Sequence, residues 1–174
     1  MATSMMTSDL NGAVPVPSGT SRAQAKGTAT IGKLAEVFAR VALGGAFLSA
    51  VADRFGLWGG PGKPGVAWGD FQHFVQYAGM VNSFLPARVI PPVAWAATVA
   101  ETTFGLGLIL GIYKRVVTFG SAALLLMFAL AMSVSFGIKA PLDYSVFSAS
   151  AAAFLLFTMQ GKRAKASDGE NNPA

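Results

Sequence analysis

Cysteine is absent from this 174-residue sequence, and histidine occurs only once, at position 73. Without cysteine, the chain can form no disulfide, thiolate nucleophile, iron–sulfur cluster or cysteine-based metal site. With one histidine, it cannot ligate a haem through two histidines of its own. The sequence also contains no Ser/His/Asp triad, phosphate-binding glycine loop or cluster of metal ligands, so we expect no resident metal.

Charged residues are also few in this sequence. Only 12% of the residues are charged and 53% are hydrophobic, whereas charged residues make up about 25% of a typical soluble domain. The mean hydropathy is +0.52. The net charge of +5 lies at the ends of apolar runs, where the positive-inside rule places it. This distribution indicates a lipid bilayer as the partner and argues against nucleic acid, which requires a basic stripe on a soluble surface.

Long apolar runs define the fold class that the sequence predicts. We predict an all-α membrane protein, a bundle of four transmembrane helices within residues 31–160, since each run approaches the roughly 20 residues that a span needs. The predicted spans are residues 34–55, 89–113, 116–138 and 144–160. Residues 1–30 and 161–174 are rich in small and polar residues, and we expect both to be disordered tails.

The segment between the first two predicted spans is more than a loop. Residues 56–65 are rich in glycine and proline and predict turns. Residues 70–85 carry apolar side chains at one-sided helical spacing, with aromatic residues of the kind found at headgroup depth. We predict an amphipathic interfacial helix. The alternative is an ordinary extramembrane helix that covers the ends of the bundle.

The basic residues also predict an orientation. Eight lie on the side of the two termini and four on the other, which favours a multi-pass protein of the inner membrane with both termini in the cytoplasm. The four opposite residues are Arg54, Lys63, Arg88 and Lys139. Small residues at Gly45-xxx-Ser49 and Gly107-xxx-Gly111 favour close packing of helices within the bundle, and a homo-oligomer is the alternative.

Glu101 is the residue that points most directly to function, because a carboxylate near the middle of a span is costly unless paired, protonated or hydrated. We predict Arg40, in the first span, as its partner. The pair would form a polar centre for a headgroup, a quinone carbonyl or a proton. Alternatively it is a structural ion pair, or Arg40 instead pairs with Glu36 one turn earlier and extends to the surface.

Four further polar residues are candidates for the same site or for simpler roles. Asp53 and Arg54 end the first span, where they either line the mouth of a pocket or, as we favour, anchor the helix end in water. His73 can offer a quinone both a donor and an acceptor, although an ordinary interfacial role is more common. Asp143 is expected to cap the fourth helix.

Several short stretches in this order and spacing resemble the DoxX family of integral membrane proteins, over about residues 33–160. They are ARVALG at 39–44, LP at 85–86, AETTFG at 100–105, LGIYKR at 110–115 and PLD at 141–143. The resemblance implies a four-helix membrane protein in which Arg40 and Glu101 match the characteristic intramembrane arginine and glutamate. The family includes the membrane subunit of thiosulfate:quinone oxidoreductase. The GPGKPG stretch at 60–65 and the long N-terminal tail are less typical of the family.

The resemblance leaves the function open among three hypotheses. The first is a membrane subunit of a redox complex, with protein partners and a quinone site formed by Arg40, Glu101, Asp53 and His73. Such a subunit would not be an autonomous enzyme, because it holds no metal relay for electrons. The second is a small proton-coupled solute binder or transporter. The third is a non-catalytic scaffold or assembly protein.

Overall fold

The computed structural model describes the backbone of residues 18–170 and the side chains of residues 26–160. The described residues fall into two separate units, 18–34 and 35–170. In the first unit, the hydroxyl of Thr30 donates to the carbonyl of Lys26 one helical turn earlier. The packing and the site described below lie within the second unit.

All regular structure in the described residues is helical, and these residues contain no strand. The elements in chain order are α1 (Ser18–Arg54), α2 (Phe71–Val81), a 3-10 turn (Ala87–Val89), α3 (Ile90–Leu110), α4 (Lys114–Phe136), α5 (Lys139–Asp143) and α6 (Val146–Glu170). The predicted all-α class and the helix between the first two apolar helices are therefore confirmed.

Among the described residues, three helical segments are long and apolar enough to span a membrane. They are Lys26–Arg54, Ala87–Leu110 and Lys114–Phe136. The fourth apolar segment, Val146–Gln160, is shorter. At 1.5 Å per residue it extends for about 22 Å, less than the roughly 30 Å of a hydrocarbon core. The apolar helices of a membrane protein are thus present, whereas a complete fourth span stays a prediction.

The helices extend further than the predicted tails allow. α1 begins at Ser18 and α6 continues to Glu170, so residues 18–30 and 161–170 are helical where we expected disorder. No proline interrupts either stretch. Because extending a helix is much easier than nucleating one, an apolar helix can continue into weaker sequence at its end. The expectations for residues 1–17 and 171–174 lie outside the described residues.

Local sequence explains where the inner helices begin and end. Asp70 caps α2, accepting a hydrogen bond from the backbone amide of His73 at 2.8 Å. Two prolines lie in the first turn of α3, as predicted, where their missing amides leave no intrahelical bond unmade. α3 ends at Leu110. The residue that follows, Gly111, has a φ of 70°, a left-handed backbone conformation that favours glycine at this position.

Asp143 does not cap the fourth helix. It is the last residue of α5 and pairs with Lys139 one turn earlier on the same short helix. Tyr144 and Ser145 separate it from the first residue of α6, and Ser145 has a φ of 55°. The expected role is wrong because an extra helical turn lies between α4 and α6.

The four long helices share one apolar core. Its buried members are Leu43 and Phe47 of α1, Leu108 of α3, Val117, Ala122 and Leu124 of α4, and Ala153 and Leu156 of α6. A second cluster joins Phe74 and Ala78 of α2 to Ile90 and Ala94 of α3. Since these α2 residues lie one turn apart, the helix buries one face, as its spacing predicts.

α1 and α3 run antiparallel and are in close contact at two glycines, Gly44 and Gly105. A Cβ added to Gly44 would lie 2.8 Å from the carbonyl oxygen of Gly105. Gly45, which we predicted as a packing residue, has no neighbour within 4 Å of such a Cβ. The prediction is displaced by one residue, because spacing alone does not show which side of a uniformly apolar helix faces its neighbour.

Candidate functional site

Glu101, in the middle of α3, is the centre of a buried polar network. The side chain is 2% exposed. One nitrogen of Arg54, Nη2, donates to both of its carboxylate oxygens, at 2.7 and 2.8 Å. The other, Nη1, donates to the hydroxyl of Thr98 at 2.9 Å, and that hydroxyl donates to the carbonyl of Ala94. The last residue of α1 is therefore bound to two consecutive turns of α3.

Aromatic rings enclose the arginine of this pair. The guanidinium carbon of Arg54 lies 3.7 Å from the ring centre of Phe74 on α2 and 5.4 Å from that of Trp68 in the 56–69 loop. A cation over an aromatic face is attracted by the ring quadrupole, more strongly when water is excluded. Arg54 is only 3% exposed. Its Nε is buried without a hydrogen-bond partner in the part of the chain that the structure describes.

Asp53 fixes the 56–69 loop onto α1. Its Oδ2 accepts hydrogen bonds from the backbone amides of Ala67 at 3.1 Å and Trp68 at 2.8 Å. Its Oδ1 is buried and accepts no hydrogen bond from any described residue. Asp53 is 5% exposed, so the favoured interpretation of Asp53 and Arg54 as a helix end anchored in water is wrong. α2 and the loop cover this end of α1.

Arg40 is not the partner of Glu101. Its Nε donates to the carbonyl of Leu108 at 2.8 Å, and its Nη2 lies 3.4 Å from the carbonyl of Ile109. These carbonyls belong to the last turn of α3, where no helical amide follows to bind them. Arg40 thus stabilises the C-terminus of α3. The prediction fails because, in the antiparallel pairing of α1 with α3, Arg40 lies level with Leu108 and Arg54 lies level with Glu101.

His73 lies on α2, outside this network. Its side chain is half exposed, and its Nδ1 is 2.8 Å from Oδ1 of Asp70. The backbone amide of His73, and then its ring, hold the pKa of Asp70 below its ordinary value. Among the described contacts, none joins His73 to Arg54 or Glu101. The structure therefore does not bring the four predicted site residues together: Asp53 and Glu101 are linked through Arg54, while Arg40 and His73 lie apart.

A cleft of about 390 Å³ opens beside Asp53. Its lining consists of Ala46, Ser49, Ala50, Asp53, Trp58, Gly65, Ala67 and Trp68. The indole Nε1 of Trp58 donates to the carbonyl of Ser49 at 3.1 Å, which holds that ring against α1. Because Asp53 and Trp68 also border Arg54, the cleft and the ion pair share two residues.

Further aromatic rings gather at this end of the bundle. Phe55 stacks on Phe71 with ring centres 6.0 Å apart, and Phe71 lies 4.3 Å from Trp95. Trp58 and Trp95 are both more than half exposed. Exposed tryptophan at the end of apolar helices is typical of headgroup depth. Within the described residues, no group of three His, Cys, Asp or Glu side chains is placed to hold a metal ion.

Together these observations define an all-helical chain with membrane-length apolar helices and a buried polar centre at one end. In comparisons with protein-family models, curated proteins and solved structures, the chain gives no match. Membership of the DoxX family therefore stays a prediction from the sequence.

Proposed function

We propose that the chain is a four-span membrane protein that binds the polar head of an amphipathic molecule at one membrane face. Val146–Gln160 would form the fourth span, since Ala153 and Leu156 are buried in the common core with residues of the three longer helices. The distribution of basic residues supports cytoplasmic termini, which would place α2 and the 56–69 loop at the outer face.

The cleft beside Asp53 is the observation that carries the binding function. Its lining combines apolar and aromatic side chains with a few polar groups, which is the ordinary character of a small-molecule site. It lies at the aromatic end of the bundle. A ligand head in the cleft would leave an apolar tail free to lie among the lipids.

The Arg54–Glu101 pair serves this site by position rather than by contact. Glu101 already accepts two hydrogen bonds, and its side chain is almost fully buried. The pair binds the end of α1 to α3, while Asp53, the residue before Arg54, holds the loop that lines the cleft. We therefore assign Arg54 and Glu101 to the support of the site and Asp53 to its lining.

The DoxX resemblance implies that the ligand is a quinone and that the chain is the membrane subunit of a redox complex. The geometry supports a ligand-binding subunit with Asp53 in the site. It gives Arg40 and His73 no place there, because Arg40 binds α3 carbonyls and His73 binds Asp70. A quinone is thus one ligand class for this cleft.

A scaffold is the second candidate, and the structural role of these contacts favours it. With both oxygens of Glu101 bound to Arg54 and two loop amides bound to Asp53, every one of these bonds also serves to hold elements together. As a scaffold, the protein would present the 56–69 loop to a partner protein. Shortening the loop would then release that partner.

One purification experiment distinguishes the ligand-binding function from the scaffold function. The full chain is purified in a maltoside detergent, and organic extracts and co-purifying proteins are identified by mass spectrometry. We expect the wild type to retain an amphipathic molecule that Asp53→Asn loses. Asparagine keeps an oxygen that can accept from the loop amides but removes the charge, so the fold should persist.

Asp143→Asn is the matched control, because it removes one exposed carboxylate that is remote from the cleft along the chain. Retention of the molecule by this variant would show that the loss is specific to Asp53. If wild type and Asp53→Asn retain the same molecules, or none, the binding function is wrong. Release of a protein partner on deletion of residues 60–65 would then establish the scaffold.

A further inference from the structure

We infer that the head group taken by the cleft is an organic ammonium cation, held by the carboxylate of Asp53 and the indole rings of Trp58 and Trp68. This inference rests on the proposed ligand-binding function and narrows its substrate class. It favours an amine or a quaternary ammonium over a quinone, whose oxygens only accept hydrogen bonds.

The charge of Asp53 is the first support. Glu101 and Arg54 form an ion pair with each other, whereas Asp53 takes part in no ion pair with any described lysine, arginine or histidine. Its described partners are two neutral backbone amides, both on Oδ2. A carboxylate that is 5% exposed and lacks a counter-charge is costly. A monovalent cation in the adjoining cleft would supply that charge.

The unused oxygen of Asp53 is the second support. Oδ1 is buried and accepts no hydrogen bond among the described residues, although an ionised carboxylate has room for about four. An N–H donor of a primary amine would satisfy it after a small rotation of the side chain. A quinone carbonyl would instead place its own lone pairs beside this oxygen, and Ser49 is the one side-chain donor in the lining other than indole.

The two indoles are the third support. Tryptophan is the best aromatic partner for a cation, and aromatic side chains around a carboxylate form the usual site for quaternary ammonium groups. The Trp58 ring is positioned by the hydrogen bond from its Nε1 to Ser49, and the backbone amide of Trp68 donates to Asp53. No basic residue lines the cleft. Lys63 belongs to the same loop but is exposed.

Two kinds of molecule carry such an ammonium group, a lipid through its headgroup and a free solute. A position at the aromatic end of the helices suits the choline or ethanolamine head of a phospholipid, and the same cleft suits a small organic cation. Both share the chemistry that Asp53 and the indoles recognise. They differ in whether an acyl chain is required for binding.

Calorimetric titration of the full chain in a maltoside detergent tests the inference. The probes are choline, its uncharged carbon analogue 3,3-dimethylbutan-1-ol, ethanolamine, and a short-chain quinone. We expect choline or ethanolamine to bind at least about tenfold more tightly than the uncharged analogue, and Asp53→Asn to remove this difference. Trp58→Phe should weaken the binding of the cation by a smaller factor than Asp53→Asn does.

Two variants serve as controls. Asp143→Asn removes a carboxylate elsewhere, and Trp95→Phe alters an exposed aromatic residue that does not line the cleft; neither should change the affinity for choline. If the free cations fail to bind, the titration is repeated in lipid nanodiscs that differ only in the headgroup, choline or ethanolamine against glycerol. Preferential retention of the amine-bearing lipid, lost in Asp53→Asn, supports the lipid source.

Each remaining outcome is decisive. Equal binding of choline and its uncharged analogue, or tighter binding of the quinone, overturns the ammonium inference while leaving a ligand-binding cleft. If no probe binds and no lipid headgroup is preferred, the ammonium inference fails, while the proposed function is decided by the purification of wild type and Asp53→Asn described above. Loss of choline binding in Asp143→Asn as well would attribute the effect to the general surface charge and overturn the assignment to Asp53.

Discussion

Among the described side chains of α1 are two buried arginines, Arg40 and Arg54, that satisfy their charge in different ways. Arg40 donates to neutral carbonyls at the C-terminus of α3, and Arg54 binds the carboxylate of Glu101 in the middle of that helix. Arg40 therefore meets the negative end of a helix dipole, while Arg54 meets a full charge beneath aromatic rings. The same residue type on one helix thus binds the C-terminus of α3 in one place and a carboxylate in the middle of α3 in the other.

The largest expected effect on stability comes from removing one partner of the Arg54–Glu101 ion pair. Glu101→Ala leaves Arg54 buried without its counter-charge, and we expect a loss of about 3–5 kcal/mol in unfolding free energy. Arg54→Ala combined with Glu101→Ala should recover part of this loss, because neither charge then remains unpaired. Unfolding by SDS in mixed micelles, followed by circular dichroism, measures both.

Arg40 provides the control for that cycle. Since Arg40 and Glu101 share no contact in the structure, the effects of Arg40→Ala and Glu101→Ala should add to within about 0.5 kcal/mol. A coupling of Glu101 with Arg40 that exceeds its coupling with Arg54 would contradict the structure. Such a coupling would support the Arg40–Glu101 pairing that the sequence predicted.

The next effect tests what Arg40 does for α3. Arg40→Ala leaves the carbonyls of Leu108 and Ile109 without these donors, and we expect a loss of about 1–3 kcal/mol. Gly111→Ala should also destabilise, because its φ of 70° disfavours alanine and the new Cβ would lie 2.2 Å from Nη2 of Arg40. The same SDS titration measures both variants.

The combination of these two changes separates strain from collision. In the Arg40→Ala background the contact with the guanidinium is gone, so Gly111→Ala should cost less than in the wild type while retaining the backbone strain of roughly 1 kcal/mol. An unchanged cost in the two backgrounds would mean that Arg40 does not lie against Gly111.

Much of the fold could be predicted from the sequence, because length and hydropathy set the helices. The predicted span 116–138 corresponds to Lys114–Phe136, and the apolar spacing of residues 70–85 identified α2. The partner of Glu101 could not be predicted in the same way. Depth counted along each helix placed Arg54 at the water surface, since nothing local shows that α2 folds back over that end. Phe74, three positions after the first aromatic residue of α2, covers the guanidinium of Arg54 together with Trp68.

The relative positions of the two arginines depend on the crossing of α1 and α3 at Gly44 and Gly105. Gly44→Ala would place a Cβ 2.8 Å from a backbone oxygen and from Cγ1 of Ile109. Backbone cannot move aside as a flexible side chain can, so we expect a loss of about 1–3 kcal/mol from overpacking. Unfolding in SDS again gives the value.

Gly45→Ala is the matched control, one residue further along the same helix. A Cβ at this position meets nothing within 4 Å, and alanine favours a helix over glycine by up to about 1 kcal/mol. This variant should be neutral or slightly stabilising. If Gly45→Ala proves more harmful than Gly44→Ala, the helix surface in contact is the one that the sequence pattern suggested.

The smallest effect concerns the helix that covers Arg54. Asp70 caps α2, and the His73 amide lowers its pKa below the ordinary value of about 4. A carboxyl whose pKa is lower in the folded state stabilises that state above the unfolded pKa and loses this contribution as pH falls through the folded pKa. We expect the amide NMR signals of α2 to show local loosening below about pH 4, with little change between pH 5 and 7.

Asparagine and alanine at position 70 separate the charge from the cap. Asn is a good N-cap that does not titrate, so Asp70→Asn should keep α2 ordered and make it insensitive to acid. Asp70→Ala removes the cap and should loosen α2 at every pH. Phe74 of α2 lies over the guanidinium of Arg54. Loosening of α2, whether by acid in the wild type or by Asp70→Ala, should therefore admit water to the Arg54–Glu101 pair. The Arg40 contacts should not change. If acid loosens α2 equally in Asp70→Asn, a group other than Asp70 carries the pH dependence, and the cap does not control the cover of this site.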